Sequence, residues 1–276
     1  MSRACPLCQS QDVRELFVKE SVPYCACRAC KLRFALPPIN PNFHALNEFE
    51  PAYIQYLEDH IADQKNYASL LQWMGKFADL KAGKVLDIGC GTGKWVRFLR
   101  RAGLDAAGIE PAKALYDQYL ANEPCYRNAT AETLVANGEG GYPVITSLDV
   151  LEHVEQPGPF LQSLAKLVAP GGKVFMSTPD VGSLPAKVCG RYWHFYERYH
   201  LSYFTRKTFT RLAEQSGFRV INWGHRGKYF PVGYVIRYAF LFLFGKAVTW
   251  NLPRLDRLHI PLNTMDIMYA CLQREE

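Results

Sequence analysis

The sequence lacks an apolar leader: it begins MSRACPLC, with neither a hydrophobic run nor an arginine-rich amphipathic segment. Secretory signals need the first feature and organellar transit peptides need the second, so we expect a cytoplasmic protein. The chain also lacks a lysine- or arginine-rich block, and its net charge is only +6. A mildly basic chain of this kind permits an anionic small-molecule substrate as readily as nucleic acid, and it demands neither.

A long uninterrupted apolar segment is missing too. The apolar and aromatic stretch at 229–250 is broken by Pro231, Arg237 and two glycines, whereas a membrane-spanning helix needs about 20 consecutive apolar residues. We interpret the stretch as part of a helical insertion, at about 225–260, that caps a ligand pocket. An alternative is peripheral membrane contact, with its aromatic residues and flanking cations at the headgroup boundary beside a lipid-linked substrate.

The chain does contain nine cysteines, and four of them form two close pairs, Cys5 with Cys8 and Cys27 with Cys30. Each pair encloses two residues, and 18 residues separate the pairs, a spacing that is typical of a zinc ribbon. Cys25 is a competing ligand, although Cys27 preserves the two-residue gap. We therefore predict a zinc ribbon over 1–40, in which bound metal supplies most of the folding free energy.

With 276 residues and 49% hydrophobic content, the chain is long enough for one full α/β domain beyond the ribbon. Aromatic and aliphatic residues recur at helical spacing through 41–81, which predicts a helical linker or lid. Tyr53 or Tyr67 in this segment could reach a ligand. Strand-like and helical segments alternate over 82–276, which predicts a doubly wound α/β domain with a mostly parallel sheet.

A loop with three glycines follows the first strand-like segment of that domain, in VLDIGCGTGKWVR at 85–97. A phosphate-binding P-loop would need a glycine at position 88 and a hydroxyl at 95, where the chain has Ile88 and Trp95. A dinucleotide-binding motif would need its third glycine at position 94, which Lys94 occupies. The loop therefore does not fit a P-loop and fits a dinucleotide site poorly.

The loop instead matches acidic-x-Gly-x-Gly-x-Gly and so resembles that of S-adenosylmethionine (SAM) methyltransferases. SAM has no phosphate, so the glycines serve to let the backbone pass close to the ligand. Glu110 ends the next apolar run, 21 positions after Gly89, where a carboxylate can accept both ribose hydroxyls. The resemblance assigns the cofactor to Asp87, Gly89, Cys90, Gly91, Gly93 and Glu110.

A second stretch, LDVLEHVEQPGPFLQSLAKLVAPGGKVFMSTPD at 148–180, resembles class I methyltransferases, notably the ubiquinone-biosynthesis O-methyltransferases. The resemblance implies a Rossmann-like, seven-stranded, mostly parallel sheet. It also implies that Ala131 and Glu132, in NATAETL, lie against the adenine. Leu148 and Asp149 would lie beside the methionine part of SAM.

The cysteine pairs ahead of this domain, and HLSYFTRKTFTRLAEQSGFRV at 200–220, resemble the zinc-binding sugar C-methyltransferases of deoxysugar and polysaccharide pathways. Those enzymes carry a Tyr-His-Glu-His run, whereas this chain reads ERYH, so only His200 carries over. The resemblance implies a SAM-dependent methyltransferase with structural zinc. Its acceptor would be a small hydroxylated metabolite, such as a nucleotide- or lipid-linked sugar in glycan biosynthesis.

Methyl transfer from a sulfonium requires an aligned acceptor and one base that works near neutrality. Imidazole has a suitable pKa, and the candidates are His200 as the base and His153, in LEHV, as a second base or an orienting group. Trp193, His194 and Tyr199 would shape the acceptor site.

Three alternatives stay open. A divalent metal on Asp149 and Glu152 could bind a catechol acceptor. An rRNA or tRNA methyltransferase could use the ribbon to contact RNA, although the ribbon has neither a dense basic stripe nor paired exposed aromatics for stacking. A non-catalytic protein with a vestigial SAM site is disfavoured because the motif residues are intact.

Overall fold

The computed structural model describes residues 4–36, 61–244 and 248–275. Tyr53 and most of the predicted linker at 41–81 lie outside the described residues. The predicted boundaries of the ribbon, linker and catalytic domain stay predictions.

The predicted alternation of strands and helices is present in the order of the elements along the chain. The strands are β1 (Val13–Lys19), β2 (Val22–Cys27), β3 (Arg33–Ala35), β4 (Val85–Ile88), β5 (Ala106–Ile109), β6 (Tyr126–Arg127), β7 (Tyr142–Leu148), β8 (Val168–Pro179), β9 (Ser202–Tyr203), β10 (Phe218–His225), β11 (Lys228–Pro231), β12 (His259–Leu262) and β13 (Ile267–Arg274). The helices are α1 (Ile61–Met74), α2 (Lys94–Arg101), α3 (Lys113–Tyr119), α4 (Ala131–Ala136), α5 (Pro157–Leu167), α6 (Leu184–Cys189), α7 (Arg206–Gln215), α8 (Val232–Phe244) and α9 (Pro253–Asp256), with 3₁₀ turns at Leu151–His153 and Gly190–Tyr192.

A seven-stranded sheet forms the centre of the domain, in the order β10-β13-β8-β7-β4-β5-β6. Neighbouring strands are parallel except around β13, which runs antiparallel to both β8 and β10. All four residues of β4 are buried, as expected for a parallel strand that is covered on both faces. The predicted Rossmann-like, seven-stranded, mostly parallel sheet is confirmed.

Helices cover both faces of this sheet because each presents an apolar stripe to it. In α5, residues Phe160, Leu161, Leu164 and Leu167 recur at helical spacing, and all four are buried together with apolar residues of α4 and α7. Apolar residues of α1 and α2 belong to a second core cluster that includes Val85 of β4. This double covering leaves the carboxyl edge of the parallel strands as the place for a ligand.

The cysteine-rich segment shares a sheet with the larger domain, which the sequence did not predict. Strands β1, β2, β3 and β9 form one four-stranded antiparallel sheet. Tyr24 of β2 packs with Trp193, Tyr196 and Tyr203 in a third core cluster. The segment that leads to α7 is therefore packed against the ribbon.

An insertion between β10 and β13 contains α8 and α9, which agrees with the predicted helical insertion before the last strand. The sequence did not predict the small antiparallel sheet of β11 and β12 within it. Helix α1 lies against β11, since Asn66 Nδ2 donates to the Tyr229 carbonyl (3.2 Å) and Asn66 Oδ1 accepts from the Tyr229 N–H (2.6 Å). None of the described helices has the length and apolar character that crossing a membrane requires.

Candidate functional site

The loop between β4 and α2 has a backbone that favours glycine. Gly89, Gly91 and Gly93 have φ values of 73°, 55° and 79°, in the left-handed region that only glycine adopts freely. A Cβ atom would lie 2.7 Å from Val150 Cγ2 at Gly89 and 2.7 Å from the Tyr126 hydroxyl at Gly93, but at Gly91 it would meet nothing within 4 Å. The outer two glycines are needed for packing, whereas the space beside Gly91 is open.

Glu110 directly follows β5 and faces this loop. Its Oε2 accepts a hydrogen bond from the Gly91 N–H (2.8 Å), and its Oε1 accepts one from the Ala112 N–H (2.9 Å). Burial raises the pKa of Glu110 to about 7, although both N–H donors act in the opposite direction. A carboxylate offers about four acceptor positions, so each oxygen retains one for a ligand hydroxyl.

Asp87 lies in β4 and is buried beneath the same edge. Its Oδ1 accepts a hydrogen bond from Thr146 Oγ1 (2.6 Å), and the same hydroxyl accepts one from Trp95 Nε1 (3.3 Å). Burial raises the pKa of Asp87 to about 7; the Thr146 bond lowers it and the Glu110 charge raises it further. A buried carboxylate of this kind is suited to a cationic ligand group.

The remaining predicted cofactor residues lie at the same edge of the sheet. Ala131 is buried and Glu132 is exposed in the first turn of α4, which follows β6, while Cys90 is buried in the glycine loop. Leu148 ends β7 and is half-buried. The structure thus brings together the exits of β4, β5, β6 and β7, which carry all of these residues.

Asp149, the residue after β7, has a left-handed backbone with φ 55°. Ser177 holds it there: its Oγ accepts a hydrogen bond from the Asp149 N–H (3.0 Å) and donates one to Oδ1 (2.6 Å). Lys228 of β11 places Nζ 3.7 Å from Asp149 Oδ2. A strained non-glycine backbone is often functional, and sequence analysis missed both of these partners because they come from distant strands.

His153 and His200 meet, although 47 positions separate them in the sequence. Their ring centroids are 4.7 Å apart, in an edge-to-face arrangement. Glu152 joins them: one of its carboxylate oxygens and one ring nitrogen of each histidine all lie within 4.8 Å of one another. Two imidazole nitrogens and a carboxylate can handle a proton or hold a divalent metal.

Backbone carbonyls define the tautomers of both rings, because a carbonyl oxygen can only accept. The Nδ1 of His153 lies 3.0 Å from the Tyr199 carbonyl, and the Nδ1 of His200 lies 2.8 Å from the Phe195 carbonyl. Each Nδ1 therefore carries the hydrogen, which leaves Nε2 with the lone pair. Burial lowers the pKa of His200 to about 3, and the neighbouring His153 lowers it as well, so His200 stays neutral.

Glu152 is buried between this pair and β8. Thr178 Oγ1 donates to its Oε2 (2.9 Å). Burial raises the pKa of Glu152 to about 8, and the charge of Asp149 raises it further. Glu152 directly precedes His153 in LEHV, and this adjacency is the sequence signal that could have grouped Glu152 with the histidines.

The other predicted acceptor-site residues differ in their surroundings. Trp193 is buried in the third core cluster, and its Nε1 has no hydrogen-bond partner among the described residues. His194 Nε2 lies 3.6 Å from Asp266 Oδ2. Tyr199 contributes its carbonyl to His153, and Tyr67 packs against the ring of Trp95 at 5.3 Å between centroids.

The four predicted zinc ligands come together in the ribbon. Cys5 Sγ lies 3.4 Å from Cys30 Sγ, and Cys8 Sγ lies 3.5 Å from Cys27 Sγ. Burial opposes ionisation of Cys27, but hydrogen bonds such as that from the Cys30 N–H lower the pKa of Cys27 to about 7. Four converging thiols of this kind fit a tetrahedral zinc ion, while Cys25 lies in β2 outside the group.

The profile of a family described as a methyltransferase domain matches residues 54–222. A ubiquinone biosynthesis O-methyltransferase of Stutzerimonas stutzeri is 32% identical over 142 residues, which is 49% of this chain and 54% of the relative. Another, from a Caulobacter species, is 38% identical over 101 residues, 34% of this chain and 40% of the relative. The chain thus spans about half the length of the curated relatives it matches.

Solved structures give the same fold. A SAM-dependent methyltransferase from Archaeoglobus fulgidus superposes with a TM-score of 0.54 at 15% identity, over 76% of this chain and 94% of that chain. A SAM-dependent methyltransferase from Thermotoga maritima superposes with a TM-score of 0.53 at 16% identity, over 85% of this chain and 99% of that chain. At these identities the likeness concerns the fold alone.

The arrangement of the cysteines predicts which thiol binds zinc. We expect Cys27→Ser to lose most of the bound zinc, about one ion per chain in a four-cysteine site, because the tetrahedron loses a ligand. Cys25→Ser is the matched control and should retain the metal. Elemental mass spectrometry measures the zinc. Zinc loss in the control but not in Cys27→Ser would contradict the assignment.

Proposed function

Because the chain belongs to the methyltransferase domain family, we propose that it transfers the methyl group of SAM to a hydroxyl of a small-molecule acceptor. One observation carries the cofactor part of this proposal. The Glu110 carboxylate accepts a hydrogen bond from the Gly91 N–H (2.8 Å) and keeps free acceptor positions, and the space beside the Cα of Gly91 is open. A ribose with two hydroxyls matches that carboxylate, whereas a phosphate would be repelled by it.

Each predicted residue would then contact one part of SAM. Asp87 would face the ammonium of the methionine part, and Glu110 would accept the two ribose hydroxyls. Ala131 and Glu132, at the start of α4, would lie beside the adenine. Leu148 and Asp149 would border the methionine chain near the transferring methyl group; the hydrogen bonds from Ser177 support Asp149 in that position.

We assign proton removal to the histidine pair. As the acceptor oxygen bonds to the methyl carbon, the S–CH₃ bond breaks, its electron pair stays on sulfur, and the hydroxyl proton passes to an imidazole Nε2. The lowered pKa of His200, about 3, makes it a weak proton acceptor, so half-buried His153 is the better base. His200 would then hold the acceptor hydroxyl through its own Nε2.

Two acceptor chemistries have support. The name of the relatives, ubiquinone biosynthesis O-methyltransferase, favours a phenolic hydroxyl. A sugar hydroxyl rests on the resemblance of the cysteine pairs and of the segment from His200 to the sugar methyltransferases. In both acceptors the reacting group is a neutral hydroxyl that needs a base, so the site chemistry is the same for either.

We propose two further roles for this chain. Glu152, His153 and His200 could hold a divalent metal that binds a catechol. This set shares Glu152 with the predicted metal site of Asp149 and Glu152. Peripheral membrane contact through 229–250 is supported by the exposed side chains of Tyr234, Ile236 and Trp250. Metal chelation tests the first role, and sedimentation with liposomes tests the second.

Transfer of a radioactive methyl group tests the proposed activity directly. The protein is incubated with methyl-tritiated SAM and, separately, with phenolic quinone precursors, nucleotide sugars and RNA, each with and without EDTA. We expect label in a hydroxylated small molecule. Label in RNA would favour the RNA methyltransferase instead. Loss of labelling in EDTA, in a protein that elemental mass spectrometry shows to retain the ribbon zinc, would assign a metal to the histidine cluster.

The base assignment predicts the behaviour of two histidine variants. With the acceptor found in that assay, we expect His153→Ala to lower kcat by about a hundredfold or more, since general-base catalysis contributes about 10²–10⁴-fold. Binding of S-adenosylhomocysteine should change little. His259→Ala, in the insertion strand β12, is the matched control and should retain full activity. Unchanged turnover in His153→Ala would remove this residue as the base.

Alanine variants of Gly89 and Gly91 should differ in whether they mainly reduce the stability of the protein or its affinity for the ligand. Alanine at Gly89 or Gly91 would incur left-handed strain of about 1–2 kcal/mol, and Gly89→Ala adds the contact with Val150. We expect Gly89→Ala to lower the melting temperature more than Gly91→Ala does. Gly91→Ala should have the larger effect on S-adenosylhomocysteine affinity, because its methyl group would occupy open ligand space. Normal affinity in Gly91→Ala would contradict the assigned ligand position.

The raised pKa values predict a pH dependence of cofactor binding. Asp87 and Glu110, both with pKa raised to about 7, must be ionised to meet the ammonium and the ribose hydroxyls. Lowering the pH protonates them, so affinity for S-adenosylhomocysteine should fall about tenfold or more from pH 8 to pH 6. Isothermal titration at several pH values measures this.

A glutamine variant separates the two carboxylates in that titration. Glu110→Gln should bind more weakly at pH 8 and show a shallower dependence on pH, because only Asp87 still titrates. An affinity that is constant, or that rises toward pH 6, would show that neither carboxylate contacts the ligand in its ionised form.

A further inference from the structure

A cleft of about 510 Å³ opens beside the exits of β8 and β10. The beginnings of α6 and α7 form its walls, and Trp223 of β10 lines it. Three cationic side chains surround it: Lys187, Arg206 and Lys207. No residue of the glycine loop or of the histidine cluster lines this cleft, so it is separate from the groups assigned to methyl transfer.

The three cations have no anionic partner among the residues that the structure describes. All three side chains are exposed, and none forms an ion pair or a hydrogen bond with its side chain within the described ranges. The one carboxylate on the lining, Asp180, is already used: Oδ2 lies 2.9 Å from His225 Nε2, and Oδ1 accepts from the Gly182 N–H at 2.8 Å. The cleft therefore has a net positive charge.

Arg206 is held in place without using its hydrogen-bond donors. Its guanidinium carbon lies 3.9 Å from the centroid of the Trp223 ring, which is a close cation–π contact. A stacked guanidinium keeps its planar set of N–H donors for an oxyanion, and Lys207 adds a second cation from the same turn of α7. A tryptophan-supported arginine with neighbouring lysines has the donor geometry and charge that phosphate requires.

We propose that this cleft binds the phosphate or diphosphate group of a phosphorylated acceptor, an inference that rests on the proposed function. Neighbouring strands lie about 4.8 Å apart, so the exit of β10 lies about 14 Å from that of β7, where the methyl group would be transferred. An acceptor ring joined to a diphosphate can span that distance. The phosphate belongs either to a soluble ester or to the headgroup of a lipid-linked acceptor in a membrane.

Titration with inorganic pyrophosphate, followed by calorimetry at constant ionic strength, tests the cleft on the full chain. We expect binding to the unmodified protein and affinity at least about tenfold lower in the double variant Arg206→Gln/Lys207→Gln, because two charge-assisted contacts are lost. Lys81→Gln/Lys84→Gln removes the same charge from exposed residues before β4, at the opposite edge of the sheet, and should bind normally. Equal affinity in the first double variant and the unmodified protein, or no binding by the unmodified protein, would overturn the proposal.

Vesicles of phosphatidylcholine with phosphatidylglycerol distinguish the two sources of phosphate. The protein would be expected to sediment with the vesicles if the cleft binds a lipid headgroup. In that case pyrophosphate reverses the sedimentation and the double variant Arg206→Gln/Lys207→Gln abolishes it. Pyrophosphate binding by a protein that stays in the supernatant would assign the cleft to a soluble ester. Titration of the same samples with S-adenosylhomocysteine separates the two proposals. A protein that binds S-adenosylhomocysteine but not pyrophosphate overturns only the cleft proposal, whereas a protein that does not bind S-adenosylhomocysteine overturns the proposed function.

Discussion

The hydrogen bond from the Gly91 N–H to the Glu110 carboxylate (2.8 Å) joins the exits of two adjacent parallel strands, β4 and β5. It requires a left-handed glycine in the loop and a carboxylate at the end of the next strand. Burial keeps that carboxylate near its ionisation point, with a pKa of about 7. The position and polarity of the proposed nucleoside site depend on this one contact, since it orients both the loop and the group that would hold the ribose.

The acceptor side depends on a different connection, which runs through Leu201. Its carbonyl accepts from the Ala35 N–H in β3 (2.9 Å), and its N–H donates to the Glu152 carbonyl (2.7 Å). The residue after His200 therefore links the ribbon to the 3₁₀ turn that carries His153. Strand β3 of the cysteine-rich segment is thus connected through Leu201 to the turn that carries His153.

The sequence predicts those parts of the molecule that depend on local pattern. Alternating apolar segments predict the seven strands, and the spacing of Gly89, Gly91 and Gly93 predicts a loop that glycine must occupy. Strand β9 has only two residues, too few for any periodicity, so its pairing with β3 could not be predicted. The approach of Lys228 to Asp149 depends on how the insertion folds back, and the tautomer of His200 depends on a carbonyl in three dimensions; neither leaves a signal in the chain.

A crystal structure of the protein with bound S-adenosylhomocysteine tests the central claim most directly. We expect both ribose hydroxyls to lie within hydrogen-bonding distance of the Glu110 carboxylate, with the ligand in contact with the open side of Gly91. A ligand bound elsewhere, or a diphosphate in contact with the glycine loop, would contradict the assignment of this edge of the sheet to a sulfonium nucleoside.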